Sequence, residues 1–275
     1  MDFSSASTPV RTLIVNADDF GFTRDVNRGI IEAHQRGILT STTLMASGSM
    51  EERPAFEDAV RLARTHPSLD IGCHLVLVGE PGFPATVAQL MQALALKRIR
   101  IHEELAAQVR RILDKGLTPT HLDTHKHTHL LPPVLDAVAR VSEEFGIPWV
   151  RRPFDFPLQP GGIGWQKRAV NRAFGLVRGH FQRVLRTHGC RFTDHFAGFQ
   201  ITGNYDAAAL VSLIRALPEG STEFMCHPGC CGDELRAAHT RLKESREQEL
   251  LALTSPQVRA ALEQEKVHLV GFDRL

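Results

Sequence analysis

With 275 residues, 43% of them hydrophobic, the chain is long enough to bury a large core. Its net charge of +1 gives no overall reason to expect nucleic acid as a partner. Five cysteines, at 73, 190, 226, 230 and 231, make an odd set in a chain too long to need disulfide staples, so reduced thiols in a cytoplasmic protein are expected.

Residues 1–10 read as a flexible polar tail, and residues 11–275 as one domain. The tail has no basic start and no apolar run, so no signal peptide is expected, and no stretch approaches a membrane span. The apolar run 12–16 suits a buried strand, and Asp18 and Asp19 follow it at once. From Asp25, residues Val26, Ile30, Ala33 and His34 fall at helical spacing up to a stop at Gly37. Residues 40–45 read as a second strand, 54–65 as a helix with Phe56, Ala59, Val60 and Ala63 on one face, and 70–75 as a third strand. The stretch 79–100 opens with Gly and Pro and breaks the rhythm, as an insertion or lid over a site would. A helix over 102–115, stopped by Gly116, leads into a fourth strand at 120–124.

There the chain becomes unusual, with His121, Asp123, His125, His127 and His129 inside ten residues. Read as extended chain, all five share one face, because strand side chains alternate with period two. Such crowding points to a metal, although only some of the five can reach one ion; a solvated polar loop is the plainer alternative. Pro132 and Pro133 suit the first turn of the next helix, so the cluster sits where a strand gives way to a helix. Beyond it, Val134, Val138, Val141 and Phe145 mark that helix, Gly146 caps it, and 149–151 is a short strand. Residues 161–187 read as helical and basic, 194–199 as strand six, 207–217 as a helix and 222–226 as strand seven. Helices at 240–253 and 256–264 precede a last strand at 267–270.

Strands alternating with helices along the whole length predict a parallel α/β architecture. Seven or eight units fit a closed or partly closed barrel in a single domain; a doubly wound open sheet is the alternative. Asp18 and Asp19 follow strand one, His74 ends strand three, His125 follows strand four, Arg151 and Arg152 follow strand five, and His227 follows strand seven. In a parallel barrel these strand ends converge on one mouth, where an active site is expected. Taken singly each has a plainer reading: Asp18 and Asp19 or Asp123 as helix caps, His74 as a hydrogen-bonded core histidine, Arg151 as a surface cation. Together, an aspartate and two histidines form a ligand set that leaves positions open for water and substrate.

Asn16-Ala-Asp-Asp-Phe-Gly21, Thr40-Ser-Thr-Thr43, Ile71-Gly-Cys-His74, Thr120-His-Leu-Asp-Thr-His125 and Cys226-His-Pro-Gly229, in this order, resemble the YdjC-like carbohydrate deacetylase family. The likeness is nearest to its chitooligosaccharide and hopanoid-biosynthesis-associated deacetylases. It implies a distorted β/α barrel and a divalent metal held by Asp19, His74 and His125. It further implies Asp18 as general base, with His227 at the site, where chemistry suits it to the acid that protonates the leaving amine. Arg151 is expected to orient Asp18, and Asp123 to hold a ligand histidine by its other ring nitrogen. His127 and His129 are left as substrate-side or structural groups, and His121 as buried scaffold. One carboxylate and two imidazoles suit Zn2+, Mn2+, iron or Co2+, and Mg2+ if it keeps several waters.

The expected function is thus metal-dependent hydrolysis of an N-acetyl group on an N-acetylglucosamine-containing glycolipid, of hopanoid type, or oligosaccharide. A non-catalytic sugar-binding barrel has no need of both a base and an acid, and a metal-dependent phosphoesterase is weakened by the lack of a glycine-rich phosphate loop. The family likeness also suggests a homodimer. One segment departs from the even charge balance: residues 151–191 hold nine Lys or Arg against Asp155. Its basic amphipathic helix either packs on the barrel with its charges solvated or lies against an anionic membrane, the inner surface in a cytoplasmic protein.

Overall fold

The structure, a computed structural model, describes residues 10–47, 54–157 and 165–275. The apolar run Leu13-Ile14-Val15 forms the buried middle of β1 (Arg11–Phe20), about which a wholly parallel sheet is laid. The other strands are β2 (Ser41–Leu44), β3 (Asp70–Leu75), β4 (His121–Thr124), β5 (Trp149–Val150), β6 (His195–Ala197), β7 (Gly220–Cys226) and β8 (Val267–Leu269). Their order is β5-β4-β3-β2-β1-β7-β6. β7 pairs along one edge of β1; the other edge is shared, its first part with β8 and its later part with β2. The sheet curls until its ends meet, where two isolated parallel bridges among the described residues, Trp149–Arg191 and Asp155–Phe196, pair the backbone. It is a distorted barrel of eight strands.

Helices α1 (Arg24–Arg36), α2 (Pro54–Thr65), α3 (Val87–Ala95), α4 (Ile101–Asp114), α5 (Pro132–Phe145), α6 (Trp165–Thr187) and α7 (Ala207–Arg215) surround the sheet. The last three are α8 (Asp233–Ala237), α9 (Glu244–Leu253) and α10 (Pro256–Gln264). Local chemistry sets several of their ends. The Thr23 side chain caps α1, Pro132 and Pro133 open α5, and Gly146, left-handed at φ 64°, closes it. Asp18 and Asp19 cap no helix.

Several expectations need correction. The cluster around His125 is not one extended run: β4 ends at Thr124 and a 3₁₀ turn, His125–Leu130, follows, with Lys126 and His127 left-handed at φ 53° and 52°. Strand alternation therefore stops before His125, and His127 and His129 take their directions from the turn. The lid stretch 79–100 contains α3, held by a reciprocal cap between Thr86 and Gln89. The helix expected at 240–253 begins at Glu244, and α8 and the short turn Phe272–Arg274 were not anticipated. The expected tail and the start of the helix expected at 161–187 lie largely outside the described residues.

Candidate functional site

Consecutive residues in a strand point to opposite faces, so Asp18 and Asp19 need a device to serve one mouth. β1 supplies it: the register with β2 slips between Ala17 and Phe20, and Asp19 turns left-handed at φ 71°. Asp19 Oδ1 then lies 3.4 Å from His74 Nε2 and 3.3 Å from His125 Nδ1. Those two ring nitrogens are 3.2 Å apart. Oδ1 is buried and has no hydrogen-bond partner, while Oδ2 accepts from Arg246 Nη2 at 2.5 Å. Burial alone would raise the Asp19 pKa, but Arg246, His125 and His74 together outweigh it and hold the carboxyl well below its usual range.

Behind this triangle sits a second layer of charge. Asp123 Oδ1 lies 2.7 Å from His74 Nδ1, and Thr43 Oγ donates to Asp123 Oδ2 at 3.0 Å. Burial presses the His74 pKa down, yet Asp123 and the neighbouring carboxylates carry it up to about 9. Arg151 grips Asp18 with two hydrogen bonds, of 2.8 and 2.7 Å, and reaches Asp123 Oδ2 at 2.8 Å and Glu223 Oε1 at 2.7 Å. Burial pushes Asp18 up, but Arg151 overrides it, so the carboxyl stays ionised far below its ordinary range.

His227 completes the rim, its Nε2 3.8 Å from Asp18 Oδ2 and its Nδ1 buried without a partner. Burial lowers its pKa, leaving a neutral ring at neutral pH. Its backbone N–H donates to Glu249 Oε2, and α1 packs close behind, since a Cβ on Gly29 would fall 2.3 Å from the Gly229 Cα. His127, also buried, neutral and with Nδ1 unpartnered, faces the Phe199 ring at 5.7 Å. Asp18, Asp19, His74, His125, His127, Phe199, His227 and Arg246 line one cleft of about 430 Å³, together with Phe22, Met225, His239 and Arg241.

Not every expected histidine reaches the cleft. His129 is wholly buried, bonded to Thr124 Oγ at 2.5 Å and to the Arg151 carbonyl at 3.1 Å, so it braces the backbone that carries Arg151. His121 crosses the space above Gly72, where a Cβ would come within 2.5 Å of its ring, and stacks on Phe272 at 4.1 Å. It is scaffold. Arg246 and Glu249, both buried, were missed. The available signal was their place on α9: with Leu250 and Leu253 they fall on one helical face, where charge is costly to bury without a task.

Fold and cluster together define the class, a parallel β/α-barrel protein with an Asp/His site at the strands' C-terminal mouth. Within that class the chain belongs to the family of YdjC-like proteins, which matches residues 12–264. It is 34% identical to a carbohydrate deacetylase of Brevibacillus brevis, over 96% of this chain and 99% of the relative. Proteins of the same name in Geobacillus stearothermophilus and Homo sapiens are 35% and 32% identical, over 95% and 98% of this chain and 97% and 92% of theirs. A solved structure from Enterococcus faecalis, described as a putative cellobiose-phosphate cleavage protein, superposes with a TM-score of 0.72 at 25% identity, covering 96% of this chain and 98% of that one.

Proposed function

We propose that the protein is a metal-dependent carbohydrate N-deacetylase, hydrolysing the acetamide of an N-acetylglucosamine unit in a glycolipid, of hopanoid type, or an oligosaccharide to acetate and a free amine. The observation that carries this reading is the buried, unpartnered Asp19 Oδ1 facing two imidazole nitrogens at 3.3 and 3.4 Å. Two ligand atoms bonded to one ion at about 2.1 Å are separated by roughly 3.0–3.4 Å, so Asp19, His74 and His125 fit a divalent cation. One carboxylate with two imidazoles suits Zn2+, Mn2+ or Co2+, and Mg2+ with retained waters. Asp123 behind His74 and Arg246 behind Asp19 fix the orientation of two of the three. The name shared by the relatives supports the reaction, and the cleft volume lies in the range of small-molecule sites, about 300–1,000 Å³.

A metal held there supplies Lewis-acid polarisation of the acetamide carbonyl and acidifies the attacking water. Asp18 accepts the water's proton, and Arg151 keeps its carboxylate ionised and aimed. His227 is neutral at rest, so it delivers a proton to the departing amine only after taking one from the site, and Asp18, 3.8 Å away, is the neighbour that can pass it on. Phe22, Phe199 and Met225 give the sugar ring an apolar wall. The test is mass spectrometry of N-acetylated chitooligosaccharides and glycolipids after incubation with metal-loaded protein. A mass loss of one acetyl group with acetate release is expected; intact substrates throughout would overturn the proposal.

A further inference from the structure

Helix α6 does not behave like the other barrel helices. Its seating point is Phe181, 1% exposed, whose ring meets His129 at 5.4 Å and Phe154 at 5.2 Å. Both partners stand at the mouth end, one in the turn after β4 and the other just beyond β5. From Trp165 to His180, every residue whose side chain is described is exposed. At 1.5 Å per residue these sixteen residues run about 24 Å, and along them none of the described side chains is buried against the barrel. Trp165 is 76% and Leu176 88% exposed, with Val170 and Val177 also open to solvent. Over its length α6 holds six Lys or Arg and no Asp or Glu.

A second patch lies across α5. The mouth ends of α4 and α5, covered by α3, form an apolar groove of about 590 Å³ lined by Met91, Leu94, Ile99, Leu131 and Pro132. Met91 and Leu96 are more than half exposed, and Lys97, Arg98 and Arg100 follow directly. Of the nine large hydrophobic side chains exposed among the described residues, six belong to these two patches. Helix N-termini in a β/α barrel stand at the end where the strands finish, so both patches share the face that carries the cleft.

From this arrangement we propose that the face formed by the α6 arm and the α3–α4 groove docks on the surface of an anionic lipid bilayer, with the catalytic mouth turned toward it. Exposed apolar side chains flanked by cations are what an interfacial surface needs, the first to enter the acyl boundary and the second to meet lipid phosphate. Pairing two copies arm against arm would instead set six cations against six. No helix among the described residues is long and apolar enough to cross a membrane, so the contact is peripheral. If the deacetylase reading holds, the substrate class this favours is a sugar borne on a lipid.

The test is co-sedimentation of the full chain with phosphatidylcholine vesicles, with and without phosphatidylglycerol, and needs no substrate. Binding is expected only to the anionic vesicles, and is lost at high salt as the Debye length shortens. Each basic residue near the surface is worth about fivefold in partition, so a variant carrying Lys97→Gln, Arg98→Gln, Arg172→Gln and Arg178→Gln should bind at least ~100-fold more weakly. Leu176→Ser should weaken binding while leaving its salt dependence unchanged. All five positions are exposed, and circular dichroism that matches the parent establishes that the variants fold. Equal partition into neutral and anionic vesicles, no binding at low salt, or undiminished binding by the quadruple variant overturns the proposal. So does a dimer that Leu176→Asp dissolves in a chain that ignores vesicles, since a second copy then covers the arm. Loss of acetate release with vesicle binding intact would count against the deacetylase reading alone.

Discussion

Glu223→Gln is expected to stabilise the metal-free protein above neutral pH and to flatten its pH dependence. The Glu223 carboxyl is fully buried, its Oε1 accepts from Arg151 Nε at 2.7 Å, and its Oε2 has no partner. Burial drives its pKa up from 4.5 to about 7 even though Arg151 pulls it down. Between those values the folded chain binds more protons than the unfolded one. The stability this group contributes is therefore complete below pH 4.5 and is lost as pH rises to about 7. A shift of that size corresponds to about 3 kcal/mol. Glutamine stands in for the protonated acid, keeping the acceptor for Arg151 without the cost of a buried charge. At pH 5 the two proteins should have similar stability. At pH 8 the variant should gain up to about 3 kcal/mol, roughly 6–12 °C in Tm for a chain of this size. Urea unfolding of EDTA-treated protein at both pH values is the measurement. Buried Asp155, also raised, to about 6, contributes equally to both proteins and drops out of the difference. An unchanged difference between variant and parent at pH 5 and pH 8 would refute the reasoning.

His125→Ala should lower bound metal measured by elemental analysis while the fold survives, because the ring sits at a strand end and not in the core; unchanged metal content rejects the ligand set. Arg246→Met removes the donor to Asp19 Oδ2 and should weaken zinc binding about 10–100-fold by calorimetry, an unaltered Kd showing that Arg246 does not orient Asp19. Asp18→Asn should keep its metal and lose about 10²–10⁴ in rate, and near-normal acetate release would mean that another group is the base. On acidification, buried His121 and His129, whose pKa values burial lowers to about 3, should cost stability between pH 6.5 and 3, because only the unfolded chain takes up their protons. A His129→Gln variant whose stability falls over that range as steeply as the parent's would contradict the neutral, buried state of His129.

Much of the barrel was legible because its signals are local. Apolar strand runs such as Leu13-Ile14-Val15, the glycine stops at Gly37 and Gly146 and the proline pair that opens α5 each act within a few residues. The convergence of Asp19, His74 and His125 was legible for a related reason: parallel strands put all their C-terminal ends on one side. Arg246 was not legible, because nothing near it in sequence says that α9 brings its guanidinium to a carboxylate 227 residues away. The exposure of α6 was invisible as well. Its apolar stripe, read along the sequence, runs through Val170, Phe174, Val177, Phe181 and Val184, and only the barrel decides that Val170 and Val177 are exposed while Phe181 is buried.

The turn at Asp19 shows why adjacent acids can do two different jobs. Had β1 continued with regular alternation, one carboxylate would face the sheet interior and the other the surrounding helices. The extra residue between Ala17 and Phe20 and the left-handed Asp19, a conformation costing about 1 kcal/mol for most side chains and less for aspartate, rotate the second acid onto the mouth. Asp18 keeps its strand direction and meets Arg151 from inside the barrel, whereas Asp19 is met from outside by Arg246 on α9. Each acid thus has its own guanidinium. One carboxylate has both oxygens engaged by Arg151, and the other keeps a bare oxygen beside two imidazoles. Under the proposed function, that division of partners, and not the acids themselves, is what separates the role of Asp18 from that of Asp19.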